Sequence, residues 1–349
     1  MSSNKTKVYV GLSGGVDSSV AAALLKEQGY DVTGVYMKNW TKNIPGFECP
    51  WKDDFTDAKR VAVQLGIPFK VFDFEKQYQN KVVDYMIDGF VKGITPNPDI
   101  MCNQEIKFKL FLDAAMADGA EYIATGHYAN TKDGLLYKAK DASKDQTYFL
   151  YRVMKKALQK TLFPIGEYTK TEVRELAKQY GLVTATKKES MGICFVGKVG
   201  IKEFLAQYVD AQPGKIIDQS GKVIGEHDGA IFYTIGQRHG LNVGGGLPYY
   251  VTGKDMQKNQ VYVTNNIDDK NLWQHQFKLT SLHWIGAAPK GPIKVDVRTR
   301  HRAPLEKCQL QISGDTATVV LETPLRALTP GQSAVLYLQN AVLGGGIII

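Results

Sequence analysis

Apolar positions in the first half of the chain alternate between two periods. Residues 7–12, KVYVGL, form a short β-branched apolar run, predicted as a buried strand. SSVAAALLKEQGY (18–30) follows a helical period, and Gly29 closes it as a C′ glycine. DVTGVYM (31–37) is a second strand. DDFTDAKRVAVQLGI (53–67) sets Phe55, Ala58, Val61, Ala62 and Leu65 at helical spacing, with acids in its first turn. PFKVFDF (68–74) is a third strand and EKQYQNKVVDYMIDGFVKG (75–93) a helix. NQEIKFKLFLDAAMADGA (103–120) is a further helix, and EYIATG (121–126) a short strand. This alternation argues a doubly wound α/β domain on a parallel sheet. Such sheets bind ligands at the carboxyl ends of their strands, where Gly11, Met37 and Gly126 fall.

Near residues 205–215 the helical period fades. Segments 214–234, 248–265, 277–286 and 293–338 are short strands separated by Gly, Asp and Asn turns. Two small, mainly β units are expected, a central β domain and a C-terminal barrel. The boundaries are placed at 1–208, 209–275 and 276–349.

Composition narrows the class. A chain of 349 residues with 44% hydrophobic and 22% charged residues suits a multidomain globular protein. The net charge of +8 fits a nucleic-acid or polyphosphate partner without requiring one. Four cysteines (Cys49, Cys102, Cys194 and Cys308) are too few for a disulfide scaffold, and none has zinc-ligand spacing. The polar start MSSNKTKVYV lacks an apolar core for secretion, and no apolar run is long enough to span a membrane. A reducing, cytoplasmic setting and no metal site of the protein's own are expected.

The loop after the first strand, Ser13-Gly14-Gly15-Val16-Asp17-Ser18, admits three readings. A plain turn accounts for the glycines but not for Ser13, Asp17, Ser18 and Ser19. A G-x-S-x-G nucleophile elbow spans Gly11 to Gly15, yet only twelve residues precede Ser13 and they supply no oxyanion loop. A glycine loop that opens a helix presents backbone N–H groups to an anion. The Walker lysine is absent. The segment resembles the PP-loop, S-G-G-x-D-S, of ATP pyrophosphatases. That resemblance implies a nucleotide site made by Gly11, Leu12, Ser13, Gly14, Gly15, Val16, Asp17 and Ser18, with Asp17 near Mg2+. Met37 would pack on the adenine, although its position suits a core methionine as well.

Two cysteines bear on the substrate. In TPNPDIMCNQEIKF (95–108), prolines stiffen the approach and Cys102 is expected at or just before a helix N-terminus. There, positive dipole charge favours the thiolate, and Asp99 can serve as a general acid/base. A buried structural cysteine is the alternative at this point. In KKESMGICFVGK (187–198), Cys194 follows the cations Lys187 and Lys188, which also favour a thiolate. Two reactive thiols suggest that one carries a persulfide and the other resolves it.

GLSGGVDSSV, NPDIMCNQEIKF, ATGHYA, KDQTYFL, SMGICF, TIGQRHGL, TPGQSAV and LGGGII together resemble the tRNA-specific 2-thiouridylase family (MnmA, also TrmU), from residue 7 to the end. The resemblance implies ATP-dependent replacement of the 2-oxygen of the tRNA wobble uridine by sulfur. ATP with Mg2+ would adenylate the 2-carbonyl, Cys194 would receive the persulfide, and Cys102 would be the nucleophile. Direct attack by persulfide sulfur and release of hydrosulfide with a Cys102–Cys194 disulfide both stay open. The resemblance places Asn97, Pro98 and Asp99 at the target base and Gly126 in the nucleotide site. It places His127, Lys144, Asp145, Gln146, Arg300, His301 and Gln332 at tRNA. His301 stands where the family has Tyr. In VDVRTRHR, alternation sets Arg298, Arg300 and Arg302 on one strand face, suited to phosphates. The implied partners are tRNA (those for Lys, Glu and Gln) and a cysteine desulfurase or sulfur-relay protein, with a monomer expected. Another PP-loop ligase would leave both cysteines without a task. A non-catalytic RNA-binding protein would tolerate their replacement by Ser.

Overall fold

The protein is described from a computed structural model that covers residues 5–43, 45, 48–188, 200–241, 243–244 and 248–349. The N-terminal half is built on a parallel sheet. Its strands are β1 (Lys7–Gly11), β2 (Asp31–Lys38), β3 (Phe69–Asp73), β4 (Tyr122–Ala124) and the two-residue strand Thr161–Leu162. The order is β3-β2-β1-β4-(Thr161–Leu162), with every neighbouring pair parallel. Val8 and Val10 have no exposed surface, as expected of a strand covered on both faces.

One face carries α1 (Val16–Glu27), α2 (Trp51–Gln64) and the helix Lys170–Gln179. The small side chains Ala21, Ala22 and Ala23 are all buried, so α1 lies close to both sheet and neighbouring helix. The other face carries the helical stretches 75–91 and 98–117 through Tyr78, Val82, Met86, Phe90, Ile106 and Phe111. Strand order reverses between β1 and β4, because β2 and β3 lie to one side and β4 to the other. Ligands bind at such a switch point.

The central domain is a four-stranded sheet, Tyr250–Asp255, Gln260–Thr264, Gly214–Ile217 and Val223–His227 in spatial order. Residues 230–232, expected within a strand, instead form a single 3-10 turn. The C-terminal domain is a closed six-stranded barrel. Trp273–Trp284 pairs at one edge with Thr316–Arg326 and at the other with Ala341–Ile348, which completes the ring.

Two features depart from the expected pattern. The helix expected to begin at Asn103 begins at Pro98. Asn97 caps it, its side-chain oxygen accepting from Ile100 N–H at 3.3 Å, and proline occupies the first turn. From Cys102 to Leu110 the winding is π-helical. In addition, the N-terminal half contributes the hairpin Asn130–Lys132/Leu135–Tyr137, which adds to the barrel at Ala341 and Val342. Three-residue strands with little local pattern gave no signal of this junction.

Candidate active site

The loop between β1 and α1 lies at the switch point. Gly14 has φ +74°, and a Cβ there would fall 2.3 Å from the Asp54 carbonyl oxygen in the first turn of α2. Glycine is required both for the left-handed backbone and for the close approach. Ser18 Oγ draws the loop into a ring. It accepts from Ser13 N–H at 3.2 Å, lies 3.2 Å from Ser13 Oγ, and donates to the Gly15 carbonyl at 3.1 Å. Gly15 is the N-cap of α1 but offers no side-chain cap. Gly126, just after β4, presses on the start of α1, since a Cβ would lie 2.5 Å from Ser18 N. Met37 reaches Gly11, where a Cβ would meet its terminal methyl at 2.9 Å. Gly11, the 13–18 loop, Met37 and Gly126 are therefore adjacent. Leu12 and Val16 are buried beneath the loop.

Asp17 is held by groups the sequence did not single out. Lys170 Nζ lies 2.7 and 2.9 Å from its two carboxylate oxygens, and Tyr128 OH donates to Oδ1 at 2.9 Å. Lys170 occupies the first position of its helix, which Thr169 and Glu172 close with a capping box. Tyr128 lies within the quoted ATGHYA motif, but Lys170 stands alone in a polar stretch and had no signal.

Asp99 and Cys102 sit three residues apart on one helix, and the Asp99 carbonyl accepts from Cys102 N–H. Cys102 is buried and lies one turn inside the helix rather than at its start. Its N–H is already satisfied, which weakens the expected dipole argument, because that effect falls off within the first turn. Burial pushes the Asp99 carboxyl above its ordinary range, with Lys107 pulling against it. Lys107 Nζ also lies 3.4 Å from His127 Nε2. His127 is buried beside Phe108 and Phe163, and its Nδ1 is 2.8 Å from Thr125 Oγ1. Burial and then Lys107 hold its pKa well below the usual imidazole value, so it is neutral. Lys107 and His127 thus link the helix that carries Asp99 and Cys102 to the Gly126 turn beside Ser18. Lys107 is the member the sequence reading missed.

Cys194 and the SMGICF motif lie outside the described residues. Lys187, expected to act on that thiol, pairs instead with Asp54 Oδ1 at 2.8 Å and Asp57 Oδ2 at 2.7 Å. Burial opposes its charge, but the two carboxylates outweigh burial and raise its pKa.

Several residues expected at RNA have internal roles. Asp145 is buried and pairs with Arg298 at 3.0 Å, while its other oxygen accepts from Ala139 N–H and Thr147 OH. Gln146 Oε1 accepts from Tyr128 N–H at 2.9 Å. Gln332 Nε2 donates to the Thr95 carbonyl at 2.8 Å. His301 stacks on Phe149 with centroids 4.4 Å apart. Burial, then Arg302 and Arg298, press its pKa down to about 4. The expected three-arginine strand face does not form. The strand ends at Arg298, and Arg302 has φ +63°. Arg300 remains exposed apart from Nη2, which donates to the Ala327 carbonyl at 2.8 Å and Thr329 Oγ1 at 2.9 Å. Lys144 is half-buried in the turn after Asp141. Asn97 is the helix cap and Pro98 is buried behind it.

Three family models match in series. They are described as tRNA methyl transferase HUP domain (residues 6–198), tRNA methyl transferase PRC-barrel domain (202–265) and aminomethyltransferase beta-barrel domain (274–348). The chain is 47% identical over 352 residues to the tRNA-specific 2-thiouridylase MnmA of Geobacillus thermodenitrificans, covering 99% of this chain and 95% of that one. It is 46% identical over 360 residues to the protein of that name from Streptococcus sanguinis, covering 100% and 96%. Among solved structures, a 4-thiouridine synthetase–RNA complex with bound ATP matches at 20% identity. That match has a TM-score of 0.39 over 58% of this chain and 50% of that one. With near-complete coverage at this identity, the chain belongs to the tRNA-specific 2-thiouridylase (MnmA) family.

Proposed function

We propose that the protein is an ATP-dependent tRNA-uridine 2-sulfurtransferase acting on the wobble uridine. The observation that carries this reading is the continuity of two sites. The glycine loop at the sheet switch point connects, through Gly126, His127 and Lys107, to the helix bearing Asp99 and Cys102.

The loop suits a polyphosphate. Its α1 amides have no side-chain cap, and Gly14 and Gly126 leave no room for a Cβ beside them. ATP as substrate supplies the leaving group. The uridine 2-oxygen attacks the α-phosphorus, pyrophosphate departs, and the oxygen becomes the bridging atom of an AMP ester. Sulfur then adds at C2 and AMP leaves with the original oxygen. Asp17 is the residue suited to hold Mg2+, and Lys170 beside it can balance phosphate charge. Asp99, whose carboxyl pKa burial raises, is the group that exchanges a proton with the uridine. Cys194 carries the persulfide delivered by a desulfurase or relay protein, and Cys102 is the resolving nucleophile. The base must leave its stack to enter so buried a site. Arg300, exposed on the protein surface, is assigned to tRNA phosphates, and Met37 can flank the adenine. The domain descriptions mention methyl transfer, but a methyl donor would leave the phosphate-shaped loop and both cysteines without a task.

Mass spectrometry of nucleosides tests the proposal, using tRNA treated with ATP, Mg2+ and sulfide or a desulfurase system. The expected product is 2-thiouridine at the wobble position under both conditions; with the desulfurase system it is lost in Cys102→Ser and in Cys194→Ser. Unmodified tRNA from the wild-type protein under both conditions would sink the proposal.

A further inference from the structure

The start of the helix bearing Asp99 and Cys102 is held from the other two domains as well as from its own. Its lead-in, Thr95-Pro96-Asn97, meets a turn of the barrel at the Thr95 N–H and at the Thr95 and Pro96 carbonyls. Thr95 N–H donates to the Pro330 carbonyl at 2.9 Å. The Gln332 side-chain amide donates back to the Thr95 carbonyl at 2.8 Å and approaches the Pro96 carbonyl at 3.4 Å. Between them Gly331, at φ +92°, lies so close that a Cβ would fall 2.7 Å from Thr95 N. The central domain adds one contact, Thr95 Oγ1 to Thr234 Oγ1 at 3.2 Å. Arg300 ties the two gripping domains together, its Nη2 reaching the Ile235, Ala327 and Thr329 oxygens.

Little compliance separates this grip from the chemistry. Pro96 and Pro98 fix φ on either side of the Asn97 cap, and Pro96 is seated against Gly89, where a Cβ would lie 2.7 Å from its ring. A displacement of Thr95 therefore passes to Asn97 and on to Asp99 and Cys102 rather than being absorbed by the loop.

We infer that Gln332 is a positioning residue: through Thr95 and Pro96 it sets the start of the helix that carries Asp99 and Cys102, so that the barrel is part of the catalytic unit. This rests on the proposed role of Asp99 and Cys102. It differs from a direct RNA contact by Gln332, because the amide hydrogens that would meet RNA are already directed at the catalytic domain.

Gln332→Met keeps the volume and removes the donor; Gly331→Ala disturbs the same turn by another route and serves if the first variant does not fold. The first readout is amide hydrogen exchange of the 94–102 peptide in protein free of RNA and nucleotide, expected to accelerate about tenfold. The second is thiolation with sulfide, where kcat is expected to fall about tenfold while the KM for tRNA changes less than about twofold. Unchanged exchange in 94–102 would overturn the inference. So would a raised KM with kcat intact, which marks an RNA contact. If the wild-type protein yields no thiouridine, the functional proposal fails while the exchange measurement still decides whether the grip exists.

Discussion

Asp99 shows how one side chain can be tuned against the stability of its own fold. Burial raises its pKa, so its charged form costs folding free energy wherever the unfolded chain would be ionised. That cost is absent below the ordinary value of 3.8 and grows as pH rises toward the folded value. Asp99→Asn cannot ionise. It is expected to melt higher than wild type at neutral pH, with the difference closing as pH falls toward 3.8, and to make no thiouridine. Equal melting temperatures at pH 7 would mean that the carboxyl is not strained. Asp17 is a carboxylate with direct partners, Lys170 and Tyr128. Lys170→Met should weaken Mg-ATP binding by about tenfold, because one charge-assisted partner near the phosphates is removed. Calorimetric titration reads this directly.

Local geometry carries the next layer. Gly14→Ala forces a left-handed backbone onto a residue with a Cβ and drives that Cβ into the Asp54 carbonyl. A cost of at least about 2 kcal/mol is expected, together with loss of nucleotide binding. The capping box at Thr169 and Glu172 places Lys170 at the first turn of its helix. Thr169→Ala should cost about 1 kcal/mol in denaturant unfolding. Because Lys170 rides on that turn, Mg-ATP affinity should fall with it; unchanged affinity would show that Lys170 finds Asp17 without the cap. The main elements of the catalytic half were legible as alternating periods, since buried parallel strands and their covering helices have strong apolar signatures. The start of the helix carrying Cys102 was not. TPNPDIM (95–101) looks like loop because its two prolines mask a capped first turn, and Cys102 was set too near the end as a result.

The assembled molecule gives internal partners to several residues that motif matching sent to RNA. The core under one sheet face runs on from Ile106 and Phe111 through Tyr148 and Tyr151 to Val335, Tyr337 and Val342 of the barrel. Tyr148 OH donates to the Ser333 carbonyl at 3.0 Å, and the 130–137 hairpin extends the barrel sheet. Asp145 and Arg298 pair within this junction, both nearly inaccessible. Asp145→Ala strands a buried guanidinium, so a loss of about 3 kcal/mol is expected in unfolding experiments, larger than any exposed RNA contact would produce. A loss of tRNA affinity with unaltered stability would restore Asp145 to the RNA surface. Heating should unfold barrel and catalytic domain in one calorimetric transition, because the apolar junction between them belongs to neither alone.

Periodicity sufficed for the class of fold, and loop chemistry for the glycine turn at the strand ends, because these are properties of segments a dozen residues long. Partnership across distance was a different matter. Lys170 reaches Asp17 across 153 positions, Arg298 reaches Asp145 across 153, and Gln332 reaches Thr95 across 237. A lysine, an arginine or a glutamine in a polar stretch has the same local pattern whether it faces solvent, RNA or a buried partner. Only the tertiary packing distinguishes them, because the choice depends on which groups lose water on folding, and that is settled by neighbours far away in the chain.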